Sequence, residues 1–217
     1  ASTVIFSAQN VTGPIVSTTL DASFTLNDLK FTSSPSGVTA VTIAAGTPST
    51  NSLTIAPSVS TAGIDVASNA GAITISAPLV LGAAQTWNVN GTGANGSSLA
   101  LSGGITGAGA LTLNTTGTGT ITLSGTNTYT GVTTVSGGVL QAGSANAFSA
   151  SSAYVINGSG TLRLNNLAQI IGSLAGSGTV ENGPSGTAAR VLTAGGDNSS
   201  TLFSGVLQDG GPFALSL

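Results

Sequence analysis

The stretch GAGALTLNTTGTGTITL, residues 107–123, holds two copies of one pattern, Gly-x-Gly-x followed by an alternating apolar triplet. The pattern returns as GSGTLRL (158–164) and GSGTVEN (176–182), so that successive copies are offset by 10, 41 and 18 residues. Strict alternation of apolar and polar side chains is the period of a half-buried strand, and glycine supplies the positive φ that a sharp corner needs. Recurrence of such a unit points to a stacked repeat, with rungs of about 20 residues that each hold two or more strands.

Working outward, similar triplets occur along the whole chain. They are VTI (41–43), LTI (53–55), ITI (73–75), WNV (87–89), LAL (99–101) and the three already inside the repeats, LTL (111–113), ITL (121–123) and LRL (162–164). Clusters of Gly, Asn, Ser and Pro separate them, and no apolar period of 3.6 residues is sustained. The sequence therefore predicts an all-β chain. Regular short strands also suit a β-sandwich, which stays open as the alternative; the repeats favour a β-solenoid. The expected organisation is a single domain over 1–217, with less regular rungs in 1–100 and the repeat region in 101–217. At about 20 residues per rung and about 4.8 Å between strands, the rod would hold some ten rungs and reach roughly 50 Å. Stacked Thr and Asn are expected as ladders outside or at the corners.

Composition narrows the function classes. The chain has 217 residues, 40% hydrophobic but only 4% charged, against roughly 25% charged in an average soluble domain. Disorder pairs low hydrophobicity with high charge, so this chain should fold. No apolar window reaches the roughly 18 residues of a membrane-spanning helix; the stretch near Ala77 to Ala84 is short and contains Pro78 and Gly82. Three basic residues, Lys30, Arg163 and Arg190, face six acids, too few cations for a set of phosphate contacts, so no nucleic-acid partner is expected. Cysteine is absent, which excludes disulfides and thiolate metal sites. The start at Ala1-Ser2, running directly into TVIF, reads as a terminus left after signal-peptide removal, and the chain as secreted.

The residues 117–148, GTGTITLSGTNTYTGVTTVSGGVLQAGSANAF, resemble the autotransporter-associated β-strand repeat of bacterial surface proteins. The runs LNNLAQIIGSLAGSGTVENG (164–183) and GGDNSSTLFSGVLQDG (195–210) resemble the segment that follows that repeat. The resemblance implies a right-handed parallel β-helix passenger exported to the cell surface, and it implies no chemistry. The chain is shorter than typical members. Its nine aromatic residues are few for the girdles of an outer-membrane barrel, so no barrel is expected within it.

A search for a site yields little. Histidine is absent and Lys30 is the only lysine, which leaves carboxylates, Ser and Thr as candidate bases or nucleophiles. Asp21 and Asp28, in TLDASFTLNDLKF, form the closest acidic pair in sequence, with Asp21 expected to start a strand and Asp28 to sit in a turn beside Lys30. Asp197 and Asp209 stand next to Gly, Asn or Ser, the chemistry of turns. Neither a metal site nor a cofactor is expected. Arg163, Glu181 and Arg190 are too few for a cleft that binds acidic sugars, and Arg163 with Glu181 are read instead as an outward pair on adjacent rungs. Trp87 and Tyr129 are read as packing residues in preference to sugar platforms. Sequons at Asn90, Asn95, Asn114, Asn157 and Asn198 follow from composition alone.

The ends carry the remaining expectation. No charge occurs in the first 20 residues, and the chain closes on GGPFALSL, an alternating strand, so neither end is expected to carry a cap that protects its strand edge. The strands around Val4, Ile5 and Phe6 and around Phe213, Leu215 and Leu217 are therefore expected to pair with copies of the same chain, head to tail, in an extracellular fibre or surface layer. The alternatives are a section of an autotransporter-type adhesin that binds extracellular glycans or surfaces, and a polysaccharide-active β-helix enzyme. The site inventory argues against the enzyme.

Overall fold

A computed structural model describes residues 2–6, 15–32, 40–59, 63–92, 97–183, 190–209 and 215–216. Among them every regular element is a strand, every strand pairing is parallel, and the whole is a β-solenoid of about 25 residues per turn. The fold thus lies on the solenoid side of the two architectures that the sequence allowed.

Three faces wind around one core. The first stacks β2 (Ile15–Leu20), β4 (Ala40–Ala45), β7 (Gly71–Ile75), β10 (Ser97–Leu101), β13 (Thr120–Leu123), the second half of β14 (Thr133–Ala142), β16 (Gly160–Arg163), β19 (Thr179–Glu181) and β21 (Val206–Gln208). The second stacks β1 (Ser2–Phe6), the end of β3 (Phe24–Phe31), β6 (Gly63–Val66), β9 (Gln85–Gly91), β12 (Leu111–Gly117), the start of β14, β15 (Ala153–Ile156) and β18 (Ser173–Gly176). The third takes the start of β3, then β5 (Leu53–Ile55), β8 (Leu79–Leu81) and β11 (Ile105–Gly107), and later β17 (Gln169–Ile170), β20 (Arg190–Thr193) and β22 (Leu215–Ser216). Between β11 and β17 this face is held by single bonds such as Thr128 N–H to Ile105 O, 2.9 Å.

Alternation explains the packing. In all eight triplets named from the sequence the two outer residues are buried and the middle one is half-exposed, as for Leu162, Arg163 and Leu164. On the first face the inward residues form one file, Val16, Val41, Ile73, Leu99, Ile121, Leu140, Leu162, Val180 and Leu207, each paired with the next. Burying a Val, Leu or Ile contributes roughly 1.5–3 kcal/mol, so such files supply most of the stabilisation.

The rung of about 20 residues holds only for part of the chain. Leu162 pairs with Val180, 18 residues on, but Leu53 pairs with Leu79, 26 on, and Ala40 with Ala72, 32 on. Corners lie outside the packed files and absorb extra residues at little cost, which lengthens the earlier turns. The offset of 10 between Gly107 and Gly117 is the step from one face to the next, because Leu111–Leu113 lie on the second face and Ile121–Leu123 on the first. With nine strands in the longest stack, the rod is closer to 40 Å than to 50 Å.

Asp28 lies inside β3 and not in a turn, and Asp21 follows β2 instead of starting a strand. β3 bends between faces at Asn27 and Asp28, since Phe24–Leu26 pair with β5 and Leu29–Phe31 with β6. The same device recurs in β14, where Gly138, at φ +68°, turns the strand from the second face to the first.

Candidate functional site

The carboxylates are distributed as structural ties. Asp28 is buried and accepts from Thr3 Oγ1 (2.9 Å), Asn27 Nδ2 (2.8 Å) and the Gly63 N–H (3.2 Å), joining β1, β3 and the start of β6. It lines a side groove of about 290 Å³ with Lys30, Asp65, Thr86 and Asn88, whereas Asp21 lines a separate cavity at the first rungs. The two acids therefore line different cavities. On the groove side, Asn114 Nδ2 donates to Asn88 Oδ1 (3.3 Å), a short outer asparagine ladder.

Arg163 and Glu181 are register neighbours on β16 and β19, and Arg163 Nε donates to Glu181 Oε1 at 2.6 Å. The pair is part of a row across four rungs. Arg163 Nη1 reaches Gln141 Oε1 (3.3 Å), and Gln208 Nε2 reaches Glu181 Oε2 (2.9 Å). The side chains are 24% and 11% exposed, so the pair is more sheltered than a free surface pair. Arg190 Nε donates to Asn166 O (2.6 Å), which ties a corner and leaves the guanidinium apart from the Arg163 row.

Asp197 is exposed and accepts from Ser199 Oγ (2.7 Å), Ser173 Oγ (2.7 Å) and Ser199 N–H (3.0 Å). Those bonds, the Ser199 hydroxyl first, hold its carboxyl below the ordinary value of 3.8. Asp209 follows β21, and its carbonyl accepts from Gly183 N–H. Among the described residues no group of three or more His, Cys, Asp or Glu could hold a metal ion.

Trp87 and Tyr129 are wholly buried, so neither presents a ring to a sugar. Trp87 Nε1 donates to Gln85 Oε1 (2.9 Å), and Gln85 Nε2 donates in turn to Ile55 O (3.1 Å). Buried amides recur in this role: Asn51 Nδ2 donates to Leu20 O, Ile105 N–H to Asn127 Oδ1, and Phe148 N–H to Gln169 Oε1. Each satisfies main-chain groups where a corner leaves the ladder, as a buried amide must. Nothing in the sequence separates these asparagines and glutamines from those in exposed turns. Of the sequon asparagines, Asn90, Asn114, Asn157 and Asn198 are exposed, and Asn95 lies outside the described residues.

At the ends, β1 pairs with β3 through Val4 to Leu29, Ile5 to Lys30 and Phe6 to Phe31, and Leu215 pairs with Arg190. Phe213 and Leu217 lie outside the described residues.

Residues 113–142, from β12 through β13 to the end of β14, match the family model of the passenger-associated-transport repeat. This stretch is thus similar to that repeat. The match spans a little more than one turn, since Leu113 on β12 pairs with Val135 on β14. A curated relative, the adhesin BmaC autotransporter of Brucella suis biovar 1 (strain 1330), is 32% identical over 117 residues. That alignment covers 54% of this chain but 3% of the relative. No solved structure matches the chain.

Proposed function

We propose that the chain is a non-enzymatic, surface-exposed section of an autotransporter-type adhesin, a rigid β-solenoid that holds or forms an adhesive surface outside a bacterial cell. The observation that carries this reading is the passenger repeat at 113–142, seated in the middle of an uninterrupted stack of rungs. The likeness to a section of an adhesin supports it. The side chains support it as well: buried acids are tied by hydrogen bonds, the carboxylates are scattered, and Trp87, Tyr129 and Tyr154 are enclosed in the core. The side groove with Lys30, Asp65, Thr86 and Asn88 supplies the polar surface on which an extracellular glycan would dock.

The test is display of residues 1–217 on a laboratory bacterium through an unrelated translocation barrel. Attachment to cultured epithelial cells and to immobilised glycans should rise several-fold over the same strain displaying an inert β-solenoid. Release of reducing sugars from polysaccharides, without attachment, would overturn the reading in favour of an enzyme.

A further inference from the structure

Four asparagines are followed directly by glycine: Asn90, Asn95, Asn157 and Asn182. Glycine has no side chain to shield its nitrogen, so that nitrogen can reach the amide carbon of the preceding asparagine. Asn95 lies outside the described residues, and the other three stand in different surroundings.

Asn157 lies at a corner between the second and first faces, after β15 and before β16. Asn157, Gly158 and Ser159 are all exposed, whereas Ile156 before them and Gly160 after them are buried. Gly160 N–H donates to Asn157 O (2.7 Å), which closes a tight turn and leaves the Gly158 nitrogen at its open side. A Cβ built on Gly158 would meet only Ser177 Oγ, at 3.8 Å, so the space around that nitrogen is clear.

The other two pairs are closed. Gly91 is buried in β9 and in register with Gly117 of the next turn, and Asn90 Oδ1 is held by Thr92 N–H (3.1 Å) and Thr92 Oγ1 (2.6 Å). Asn182 is buried, its N–H donates to Gln208 O (3.3 Å), and Gly183 N–H donates to Asp209 O (3.2 Å). Ring closure needs rotation about the asparagine Cα–C bond. In β9 and after β19 that rotation breaks the ladder, but at Asn157 it disturbs one exposed turn bond.

We propose that Asn157 is a site of spontaneous deamidation, selected by the fold over Asn90 and Asn182. The Gly158 nitrogen, its proton taken up by water or hydroxide, attacks Asn157 Cγ. The new C–N bond forms as the Cγ–Nδ2 bond breaks, and Nδ2 leaves as ammonia with a proton returned from solvent. Water then opens the succinimide at either carbonyl, giving aspartate or isoaspartate. Both products carry one carboxylate, so the formal net charge of −3 becomes −4. The charge arrives on an outer corner, clear of the packed files, and turns a neutral stretch of surface anionic with age. The proposal does not depend on adhesion.

Site-resolved mass spectrometry of the full chain provides the test, with samples held at mildly alkaline pH, folded and in urea. In the folded chain Asn157 should convert to a mixture of aspartate and isoaspartate. Asn90 and Asn182 should convert at least about a hundredfold more slowly, because each first needs local unfolding. In urea the three rates should converge. Gly158→Ala, which the open space accommodates, should keep its Tm and slow conversion at Asn157 by about tenfold, since the added methyl raises the barrier to attack. Asn157 staying intact in the folded chain while it converts in urea would overturn the proposal. So would conversion of Asn90 or Asn182 at the same rate as Asn157 in the folded chain, or an unchanged rate at Asn157 in Gly158→Ala.

Discussion

The phenolic oxygens of Tyr129 and Tyr154 lie 2.7 Å apart across consecutive turns, both side chains wholly buried. Around them Thr133 Oγ1 donates to the Tyr129 hydroxyl (3.1 Å), Thr133 and Ser152 share a bond of 2.9 Å, and Ser149 N–H donates to the Tyr154 oxygen (3.0 Å). Removing one hydroxyl should therefore be unequal in cost. Tyr154→Phe strands the buried Ser149 N–H and should cost about 1–3 kcal/mol, while Tyr129→Phe leaves Thr133 bonded to Ser152 and should cost about 1 kcal/mol. Denaturant unfolding of both variants checks the order, and a larger loss at Tyr129 would count against the network as described.

Alkali should act through the same pair. Burial pushes both hydroxyls above the ordinary 10.0, Tyr154 well above it, because the charged form is desolvated. A pKa raised by folding gives stability that is fully present below the unfolded value and is lost as pH rises through the folded one. The unfolding midpoint should thus hold up to about pH 10 and fall beyond it. Tyr129 and Tyr154 are the chain's two tyrosines, so tyrosinate absorbance should appear together with loss of the strand signal in circular dichroism. Absorbance that rises while the strands persist would contradict this.

What could be read in advance divides along a physical line. The inward files were legible because each depends on a local alternation, as in Ile121, Thr122 and Leu123, which needs no knowledge of the partner rung. Turn length was legible only where corners are short. The 32-residue step from Ala40 to Ala72 passes through corners that packing does not constrain, so no period marks it. Buried amides such as Gln85 and Asn127 were illegible, since their role is set by which carbonyl the neighbouring rung leaves unpaired. The polar groove brings Asn27 together with Thr86 and Asn88 from far along the chain, a proximity that exists only after stacking.

The Arg163–Glu181 bond predicts an asymmetry. Glu181 is the more sheltered partner, and losing Arg163 leaves a carboxylate held only by Gln208. Arg163→Met should cost about 1–2 kcal/mol, whereas Glu181→Gln, after which the arginine can turn to water, should cost less than about 1 kcal/mol. Thermal unfolding of the two variants in low and high salt gives the comparison. Equal losses would mean that shelter does not govern the pair.

Proteolysis offers a direct view of the ladder. Trypsin can cut after Lys30, Arg163 and Arg190, and all three lie in paired strands, in β3, β16 and β20. Cleavage requires an extended, unpaired backbone, so the folded chain should outlast a urea-treated sample by orders of magnitude in the same digest. Rapid native cleavage after Arg163, in the middle of the stack, would be incompatible with a continuous ladder.

Gly138 provides the sharpest test of the corner in β14. Its φ of +68° is left-handed, and a Cβ built there would collide with Thr115 Oγ1. That hydroxyl cannot simply move, because it donates to Gly137 O (3.1 Å) and accepts from Val139 N–H (3.1 Å), filling the gap where the register between β12 and β14 slips. Gly138→Ala should therefore cost about 2–5 kcal/mol, combining left-handed strain with overpacking. Thr115→Ala removes the closest of the clashing atoms but keeps its Cβ and strands Val139 N–H, so by itself it should cost about 1–3 kcal/mol. In the double variant the clash with the hydroxyl is gone and the Cβ–Cβ approach, the strain and the lost hydrogen bonds remain, so the combined loss should fall below the sum of the two. A strictly additive pair would show that the hydroxyl does not fill the space where a side chain at 138 would have to go.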